Sequence, residues 1–231
     1  MDDPATHSVR QSYDLVAKEY ARRLFEELRN KPQDRELLDR FARQVRGRGE
    51  VCDMGCGPGQ VARYLRDASV EEVFGLDLSP GMLEQARRLN PDITFREGNT
   101  LALELPDASL AGIAAFYAIV NLPQESLPTV FSEMRRVLQP DGLLLLAFHV
   151  GDGVIEENEL WGVPISMKFR FLRPAEICRQ LEAAGLVIEE VIEREPYPDV
   201  EYPSRRAYIF ARRPISSQLS AAATQTRDSS G

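Results

Sequence analysis

A chain of 231 residues with 43% hydrophobic content is long enough and apolar enough to bury the core of one domain. Its net charge of −8 disfavours a protein whose main task is to neutralise nucleic-acid phosphates, because such proteins present basic surfaces. Three cysteines without paired spacing exclude a disulfide framework, the polar N-terminus predicts no signal peptide, and no apolar run reaches the roughly 20 residues of a membrane span.

The first fifty residues are predicted to form two helices. Residues 8–28 place Tyr13, Val16 and Tyr20 on one face at helical spacing. A second helix is predicted over residues 33–46 and ends at the sequence GRG, whose glycines break it.

From residue 50 the chain alternates short apolar strands with amphipathic helices. Ser79 is predicted to cap the helix of the sequence SPGMLEQARRLN, with Pro80 in its first position. The segments LVIEEVIERE and RRAYIFARR predict a closing antiparallel pair of strands. This pattern predicts an α/β fold, in which a doubly wound Rossmann-like sheet is mostly parallel, has an antiparallel C-terminal strand and carries helices on both faces.

The stretch VCDMGCGPGQVARYL, residues 51–65, is the strongest signal for a ligand site. Gly55, Gly57 and Gly59 follow a predicted strand and precede a helix, so the backbone can turn sharply and approach a ligand closely. In an open parallel sheet, ligands bind outside the carboxyl ends of the strands. Asp53 supplies an acid at the start of this turn.

Two ligand classes fit this turn. A dinucleotide expects the spacing GxGxxG, but here the third glycine comes one residue early and Pro58 lacks the N–H that a pyrophosphate would use. S-adenosylmethionine needs the close backbone approach without a phosphate cradle. Asp77 ends the next strand about 20 residues later, where a carboxylate accepts hydrogen bonds from ribose hydroxyls. The sequence favours S-adenosylmethionine and leaves the dinucleotide open.

The combination of motifs resembles the class I S-adenosylmethionine-dependent methyltransferases that act on small molecules. The resemblance covers roughly residues 8–213 and rests on four segments in order: VCDMGCGPGQVARYL, VFGLDLSPGMLEQAR, EGNTLALELPDASLAGIAAFYAIVNLP and MRRVLQPDGLLLLAFH. It implies an N-terminal lid helix over residues 1–30 and a methyltransferase domain over residues 31–214. Within that domain, residues 150–173 and 195–205 would be loops on the substrate side, and the small, polar residues 215–231 predict a disordered tail.

The same resemblance implies a set of residues around S-adenosylmethionine. The glycine loop would line its methionine part, Asp77 would hold the ribose, and Phe116 and Tyr117 would lie beside the sulfonium. Asn99 stands where the family usually has an aspartate facing the adenine, and one acceptor oxygen remains. The predicted cofactor-binding residues are Asp53, Gly55, Cys56, Gly57, Gly59, Asp77, Leu78, Met82, Asn99, Thr100, Leu101, Phe116, Tyr117 and Tyr20.

Methyl transfer needs alignment more than a strong base, so the catalytic candidates are few. His149 ends a predicted strand and could deprotonate a hydroxyl, or it could be satisfied by local hydrogen bonds. Tyr13 could reach the site from the lid, or pack in the core. The apolar residues after His149 could form a substrate wall or an ordinary strand, and an arginine near the C-terminus could pair with a substrate carboxylate or with a surface acid. The predicted substrate-binding residues are Tyr13, Tyr117, His149, Trp161, Phe169 and Arg205.

The expected activity is methylation of an oxygen or nitrogen on a small molecule by in-line displacement, with S-adenosylhomocysteine as the spent cofactor. Alternatives are a nucleic-acid or protein methyltransferase, a non-catalytic S-adenosylmethionine-binding subunit, and an NAD-dependent oxidoreductase. The region YAIVNLP lacks the Asn/Asp-Pro-Pro-aromatic stretch of many exocyclic-amine methyltransferases. We expect a cytoplasmic monomer or homodimer with no metal, nucleic-acid or membrane partner.

Overall fold

The computed structural model describes residues 4–215. Its α-helices are α1 (Pro4–Leu24), α2 (Pro32–Val45), α3 (Gln60–Asp67), α4 (Pro80–Leu89), α5 (Leu127–Val137) and α6 (Pro174–Ala183). Its strands are β1 (Glu50–Met54), β2 (Val73–Asp77), β3 (Thr94–Glu97), β4 (Leu110–Phe116), β5 (Leu138–His149), β6 (Val154–Leu160), β7 (Val163–Arg170), β8 (Val187–Arg194) and β9 (Arg206–Arg212). Short 3₁₀ helices occupy Glu27–Asn30 and Gln124–Ser126.

The main sheet confirms the predicted fold class. Seven strands lie in the order β3-β2-β1-β4-β5-β9-β8, parallel from β3 to β5, and β9 pairs antiparallel with both β5 and β8. The order changes direction between β1 and β4, which creates the crevice where ligands bind in open α/β sheets.

Both faces of the sheet are covered, as the continuous apolar run of β5 predicts. Leu144, Leu146 and Phe148 pack into one core with α5 and α6, whereas Leu143 and Leu145 pack into the other with α2, α3 and α4. The alternation follows from the two-residue period of a strand. These buried layers hold the carboxyl ends of the strands in fixed positions.

The first helix has other bounds than the sequence predicts, whereas the start of α4 is as predicted. The first helix runs from Pro4 to Leu24 rather than over 8–28, because the chain tightens into a 3₁₀ turn at Glu27–Asn30. The predicted cap of α4 is confirmed, since the Ser79 side chain accepts a hydrogen bond from the Met82 N–H at 3.0 Å.

Residues 150–173 form a separate two-stranded antiparallel hairpin, β6–β7. Ile165 and Met167 of β7 are buried against Val16 of α1, so the alternating run ISMKFRF is a strand with one packed face. The hairpin and α1 therefore stand together over the sheet. The predicted disordered tail, 215–231, lies almost wholly outside the described residues, and within 4–215 no helix has the length and apolarity to cross a membrane.

Candidate functional site

The glycine loop turns at the carboxyl end of β1 and enters α3. Gly55, Gly57 and Gly59 all have positive φ, of 71°, 51° and 84°, a region that disfavours side chains. A Cβ on Gly55 would meet Ala118 at 2.8 Å and one on Gly59 would meet Asn90 at 2.8 Å, so these two positions are closed by protein. A Cβ on Gly57 would meet only a Tyr20 ring atom at 3.8 Å, which leaves its face open to a ligand.

Two carboxylates brace this loop, one buried (Asp53) and one partly buried (Asp77). Asp53 Oδ2 accepts a hydrogen bond from the Ala62 N–H at 2.8 Å and so satisfies a free donor in the first turn of α3. Asp77 Oδ2 accepts from the Gly57 N–H at 2.8 Å, and its Oδ1 accepts from the Ser79 N–H at 2.9 Å. The carboxylate that ends β2 is thereby fixed against the open face of the glycine loop.

A cavity of about 120 Å³ lies between this loop, the ends of β2 and β4, and α1. It brings together many of the predicted cofactor-binding residues. The predicted residues that line it are Tyr13, Tyr20, Gly55, Gly57, Asp77, Leu78, Met82, Asn99, Thr100, Phe116 and Tyr117. Asp77 is the only charged side chain among the residues that line it.

A smaller chamber of about 40 Å³ adjoins this cavity on the α3 side. Tyr20, Gly57 and Tyr117 line both spaces, and Asp53 and Cys56 line only the smaller one. The Leu101 side chain packs on the apolar core, and its N–H donates to Asn99 Oδ1 at 2.9 Å; the contact of its backbone with the adenine stays a prediction. The two spaces form a bent groove over the glycine loop.

Tyr117 has the most unusual backbone in the cavity wall. Its φ is +58°, uncommon for an aromatic residue, and its N–H donates to the Ala147 carbonyl at 2.8 Å. Its hydroxyl is buried and has no hydrogen-bond partner within the described residues, and burial raises its pKa to about 12. A strained residue with a free buried hydroxyl is typical of a ligand-binding position.

The N-terminal helix closes the cavity through polar contacts that the sequence did not reveal. The Tyr13 hydroxyl donates to Asn121 Oδ1 at 2.7 Å, and Asp14 Oδ1 accepts from the Ser79 hydroxyl at 2.6 Å and the Gly81 N–H at 2.8 Å. Ser12 exchanges hydrogen bonds with the Ser166 backbone of the hairpin. Helical periodicity identified the apolar face of α1 but carried no information about these distant partners.

Four predicted substrate residues do not line this cavity. Trp161 sits at the tip of the hairpin, where its ring packs on Tyr20 at a centroid distance of 5.9 Å, and Phe169 packs in the core. Arg205 is 52% exposed and pairs with Glu193 and Glu195, which is the surface ion pair left open as the alternative. These side chains contact other parts of the protein, and their contact with a substrate stays a prediction.

His149 lies behind the cavity wall rather than in it. Its ring packs on Tyr117 at a centroid distance of 4.8 Å, and its Nδ1 lies 2.8 Å from the Ser204 hydroxyl. Burial, with Arg206 and Lys31 nearby, lowers its pKa to about 3. An imidazole with this pKa is a weak base near neutral pH, which does not favour the predicted role in deprotonation.

A cluster of buried ions lies beside this histidine and was missed from the sequence. Arg194 donates to Asp34 at 2.8 Å and also to Glu201, and Lys31 lies 3.5 Å from Glu201. Arg206 contacts the same glutamate at 3.4 Å. The cluster joins the start of α2 to β8, β9 and the loop between them, and so fixes residues 195–205.

Replacing Asp53 by asparagine is expected to change how stability depends on pH. Burial raises the pKa of Asp53 from 3.8 to about 7, against the hydrogen bond from Ala62. Because the folded carboxyl holds its proton to higher pH than the unfolded one, its contribution to stability is full below about pH 4 and is lost as pH rises towards 7. Asparagine keeps an acceptor oxygen and does not titrate.

Urea unfolding from pH 4 to pH 8 measures this effect. The free energy of unfolding of Asp53→Asn, relative to that of the wild type, is expected to rise with pH and to level off above pH 7. The total rise is on the order of 1.4 kcal/mol for each unit by which the folded and unfolded pKa values differ. Asp67→Asn, at an exposed site, is the control. If the free energies of unfolding of the wild type and of Asp53→Asn changed with pH in the same way, the raised pKa of Asp53 would be contradicted.

The sequence of this chain is similar to those of known methyltransferases. A family profile described as a methyltransferase domain matches residues 51–142, which span β1 to the start of the apolar part of β5. A probable S-adenosylmethionine-dependent methyltransferase of Mycolicibacterium smegmatis is 31% identical over 68% of this chain and 58% of its own. A malonyl-[acyl-carrier protein] O-methyltransferase of Enterobacter lignolyticus is 34% identical over 53% of this chain and 45% of its own. The chain thus spans about half the length of these curated relatives.

Among solved structures, the [4+2]-cyclase SpnF superposes on 94% of this chain and 99% of its own with a TM-score of 0.70. The identity is 17%, so this likeness concerns the fold alone.

Proposed function

From the membership of this chain in the class I S-adenosylmethionine-dependent methyltransferase family, we propose that it binds S-adenosylmethionine and methylates an oxygen or nitrogen of a small molecule. One observation carries the proposal. The open face of Gly57 and the carboxylate of Asp77 meet in one cavity, joined by a hydrogen bond of 2.8 Å. A bare backbone beside a single acid suits an adenosyl group with a neutral sugar and does not suit a pyrophosphate.

Different residues of the cavity would contact different parts of the cofactor. Asp77 would accept hydrogen bonds from the ribose hydroxyls, and Leu78 and Met82 would pack on the adenine. Asn99 Oδ1 is already bonded to the Leu101 N–H, so a second lone pair would serve the adenine amino group. The glycine loop and the smaller chamber, with Tyr20 and Gln60, would receive the methionine part.

When bound, S-adenosylmethionine supplies an activated methyl group on a positively charged sulfur. The protein supplies alignment and a dry site. Phe116 and Tyr117 form an edge-to-face pair with centroids 6.5 Å apart at the end of β4, and their electron-rich faces would stabilise a cation beside them. Tyr13 and Tyr20 of α1 would exclude water from above.

The position of α1 over the cavity supports a division of the chain into a lid and a catalytic domain. We propose that residues 1–30 act as a lid, because α1 carries Tyr13 and Tyr20 over the cavity and joins its rim through side-chain hydrogen bonds such as the one from Tyr13 to Asn121. Residues 31–214 would form the catalytic domain, with the hairpin in 150–173 and the loop 195–205 shaping the acceptor side.

The acceptor is proposed to be a small molecule, with oxygen as the preferred atom. The O-methyltransferase relative supports oxygen, and the narrow space between α1 and the sheet supports a small or extended acceptor. A nucleic-acid acceptor is less favoured because, among residues 4–215, Asp77 is the one charged residue that lines the cavity, and its charge is negative. A non-catalytic binding protein is a second candidate, because the glycine loop and Asp77 could hold a cofactor without an acceptor site beside them.

Calorimetric titration with S-adenosylmethionine, S-adenosylhomocysteine and NAD tests the first half of the proposal, and transfer of labelled methyl to a panel of small acceptors tests the second. Saturable binding of both adenosyl compounds, no binding of NAD and label in an acceptor are the expected results. Binding without transfer would favour the non-catalytic candidate. Absence of adenosyl binding would refute both.

Gly57→Leu is expected to abolish cofactor binding while the fold persists. A leucine side chain would project into the open face of the loop, where only the Tyr20 ring stands 3.8 Å from the added Cβ. Positive φ costs the variant about 1–2 kcal/mol, so most of the protein stays folded. Calorimetry with S-adenosylhomocysteine and thermal unfolding together check this prediction.

Gly59→Ala is the matched comparison, because it has similar φ but no open face. Its added Cβ would lie 2.8 Å from Asn90 and from the Phe95 ring, so the main expected effect is lost stability. The two variants should therefore separate binding from folding. Unchanged cofactor affinity in Gly57→Leu would show that the ligand does not occupy this face.

A further inference from the structure

Three consecutive residues of α1 tie this helix to three different elements around the cavity. Ser12 exchanges hydrogen bonds with the Ser166 backbone of β7. The Tyr13 hydroxyl donates to Asn121 after β4, and Asp14 accepts hydrogen bonds from the start of α4. Successive residues of an α-helix point about 100° apart, so three in a row can reach partners in different directions. Together these three residues hold α1 over the cavity.

Asp14 supplies part of the N-terminal cap of α4 from outside that helix. The cap residue Ser79 accepts from the Met82 N–H at 3.0 Å, whereas the Gly81 N–H donates to Asp14 Oδ1 at 2.8 Å. The same oxygen accepts from the Ser79 hydroxyl at 2.6 Å. The first N–H groups of a helix have no partner inside it, and the positive end of the helix dipole favours a carboxylate. The Gly81 N–H keeps this partner only while α1 is in place.

Ser79 connects the carboxylate on α1 to the carboxylate in the cavity. Its hydroxyl donates to Asp14, and its N–H donates to Asp77 Oδ1 at 2.9 Å. Because Ser79 is fully buried, water cannot replace either carboxylate at this residue unless the chain moves. The position of α1 and the position of the proposed ribose partner therefore depend on the same serine.

The helices α1 and α4 meet at a glycine. A Cβ on Gly81 would lie 3.0 Å from Asp14 Cα and 3.1 Å from the Asp14 carbonyl oxygen, which is closer than an ordinary van der Waals contact. Both are backbone atoms, so rotation of a side chain cannot relieve the overlap. An alanine at this position would therefore push α1 away from α4. Within residues 4–215, Gly81 is not one of the residues that line the cavity.

The other contacts of α1 also suit a helix that opens and closes. Five buried apolar side chains form a small cluster between α1, α4 and β7, separate from the two cores of the sheet. Its members are Val16, Ala17, Met82, Ile165 and Met167. Asp14 is exposed, so water can take the place of its partners when the contact opens. Such a helix opens at a lower free energy than elements of the main cores.

We infer that Asp14 is a latch that holds α1 closed over the bound adenosyl cofactor and slows its release, acting on Asp77 through Ser79. The part of this inference that concerns the cofactor rests on the proposed function. Asp14 is a positioning residue, because the cavity is lined by its neighbour Tyr13 and by Asp77 rather than by Asp14 itself. Closure of α1 and binding of the ribose favour each other, since coupling between two sites is reciprocal.

Hydrogen–deuterium exchange of the full chain without ligand tests the latch itself. Asp14→Ala removes both hydrogen bonds to Oδ1, so the amides of α1 and of Gly81 are expected to exchange about tenfold faster than in the wild type. Asp14→Asn keeps an acceptor oxygen and is expected to stay within about threefold of the wild type. Unchanged exchange in Asp14→Ala would overturn the latch.

Glu19→Ala is the matched control, because Glu19 is an acid of the same helix whose hydrogen bonds go to Arg22 and Arg23 within α1. The Gly81 amide should exchange in this variant as it does in the wild type. Faster exchange of Gly81 in Glu19→Ala, equal to that in Asp14→Ala, would show that any lost charge on α1 has this effect and would overturn the assignment to Asp14.

Stopped-flow fluorescence of the full chain measures the effect on S-adenosylhomocysteine. Trp161 is the single tryptophan of the sequence and packs on Tyr20 of α1, so its emission reports on the position of this helix. The slope and the intercept of the observed rate against ligand concentration give the association and dissociation rate constants. We expect Asp14→Ala to raise the dissociation rate constant about tenfold and to change the association rate constant by less than about threefold.

Gly81→Ala separates the latch from the stability of α4, because alanine favours a helix and yet displaces α1. It is expected to raise the dissociation rate constant as Asp14→Ala does. Wild-type dissociation in both variants would overturn the effect on the cofactor. If the wild type binds no S-adenosylhomocysteine, the proposed function fails and this effect fails with it, while hydrogen exchange still decides the latch.

Discussion

Replacing Asp77 by alanine is expected to weaken the binding of S-adenosylmethionine and S-adenosylhomocysteine by about a hundredfold or more. Each hydrogen bond to a charged group contributes roughly 1.5–3 kcal/mol, and a ribose offers two hydroxyls to one carboxylate. Because about 1.4 kcal/mol corresponds to a factor of ten in affinity, losing both bonds costs at least two factors of ten. Calorimetric titration of the purified variant measures the change.

Asp77 also supports the glycine loop, so the effect of its replacement on stability must be separated from the effect on cofactor binding. Its two oxygens accept from the Gly57 and Ser79 N–H groups, which alanine would leave without that partner. Asp77→Asn keeps one acceptor oxygen for the loop and removes the charge, so a smaller loss of about tenfold in affinity is expected with little change in stability. Thermal unfolding of both variants distinguishes a damaged loop from a damaged contact.

Asp67→Ala is the control for charge, because this aspartate is 68% exposed on α3 and forms a surface ion pair with Arg63. It should bind both adenosyl compounds as the wild type does. Affinity that is unchanged in Asp77→Ala, with the protein folded, would refute the proposed position of the ribose and with it the interpretation of the cavity.

The part of the site that the sequence predicted is the part built from local pattern. Gly55 to Gly59 and Asp77 follow consecutive strands, and parallel strands bring their carboxyl ends to one edge. Spacing along the chain therefore specified position in space. The fold class followed for the same reason, because alternating strands and helices determine which faces are buried.

The part that the sequence did not predict depends on contacts between distant residues. Asp14 bonds to Ser79 and Gly81, and Tyr13 bonds to Asn121, across more than sixty positions of the chain. No periodicity links such partners, since each is one polar residue on an otherwise ordinary surface. The chemical character of His149 is of this kind, because its surroundings come from β9, α2 and the loop between β8 and β9.

The different burial of Arg205 and Arg206 is another feature that depends on contacts between distant residues. Arg205 and Arg206 are neighbours in sequence and both were candidates for a substrate carboxylate in the loop EPYPDVEYPSRR. Arg205 faces solvent with two glutamates, whereas Arg206 is buried on β9 beside Ser204. Alternation along a strand sends adjacent side chains to opposite faces. Which face is buried depends on the cluster around Glu201, which the sequence alone does not show.

Arg194→Met is expected to lower the free energy of unfolding by about 3–5 kcal/mol, because removing one partner of a buried ion pair leaves an uncompensated charge. The Arg194 side chain is 6% exposed, and its partners Asp34 and Glu201 are 1% and 3% exposed. Arg194 also donates from Nε to the Tyr208 hydroxyl at 2.9 Å. Total stability of ordinary domains is about 5–15 kcal/mol, so this loss is a large share of it.

Arg205→Ala, eleven positions along the same segment, is the matched control, and its exposed pairs should contribute no more than about 1 kcal/mol. Urea unfolding of both variants at pH 7 compares them. Adding Asp34→Asn to Arg194→Met removes the carboxylate charge that loses its ion pair and should recover part of the loss, because the penalty arises from unpaired charge and not from lost packing. Glu201 keeps Lys31 and Arg206 as partners in this double variant. Equal destabilisation in Arg194→Met and Arg205→Ala would mean that water reaches the ion cluster around Glu201. The loop 195–205, which places Ser204 beside His149, would then lack rigid support from that cluster.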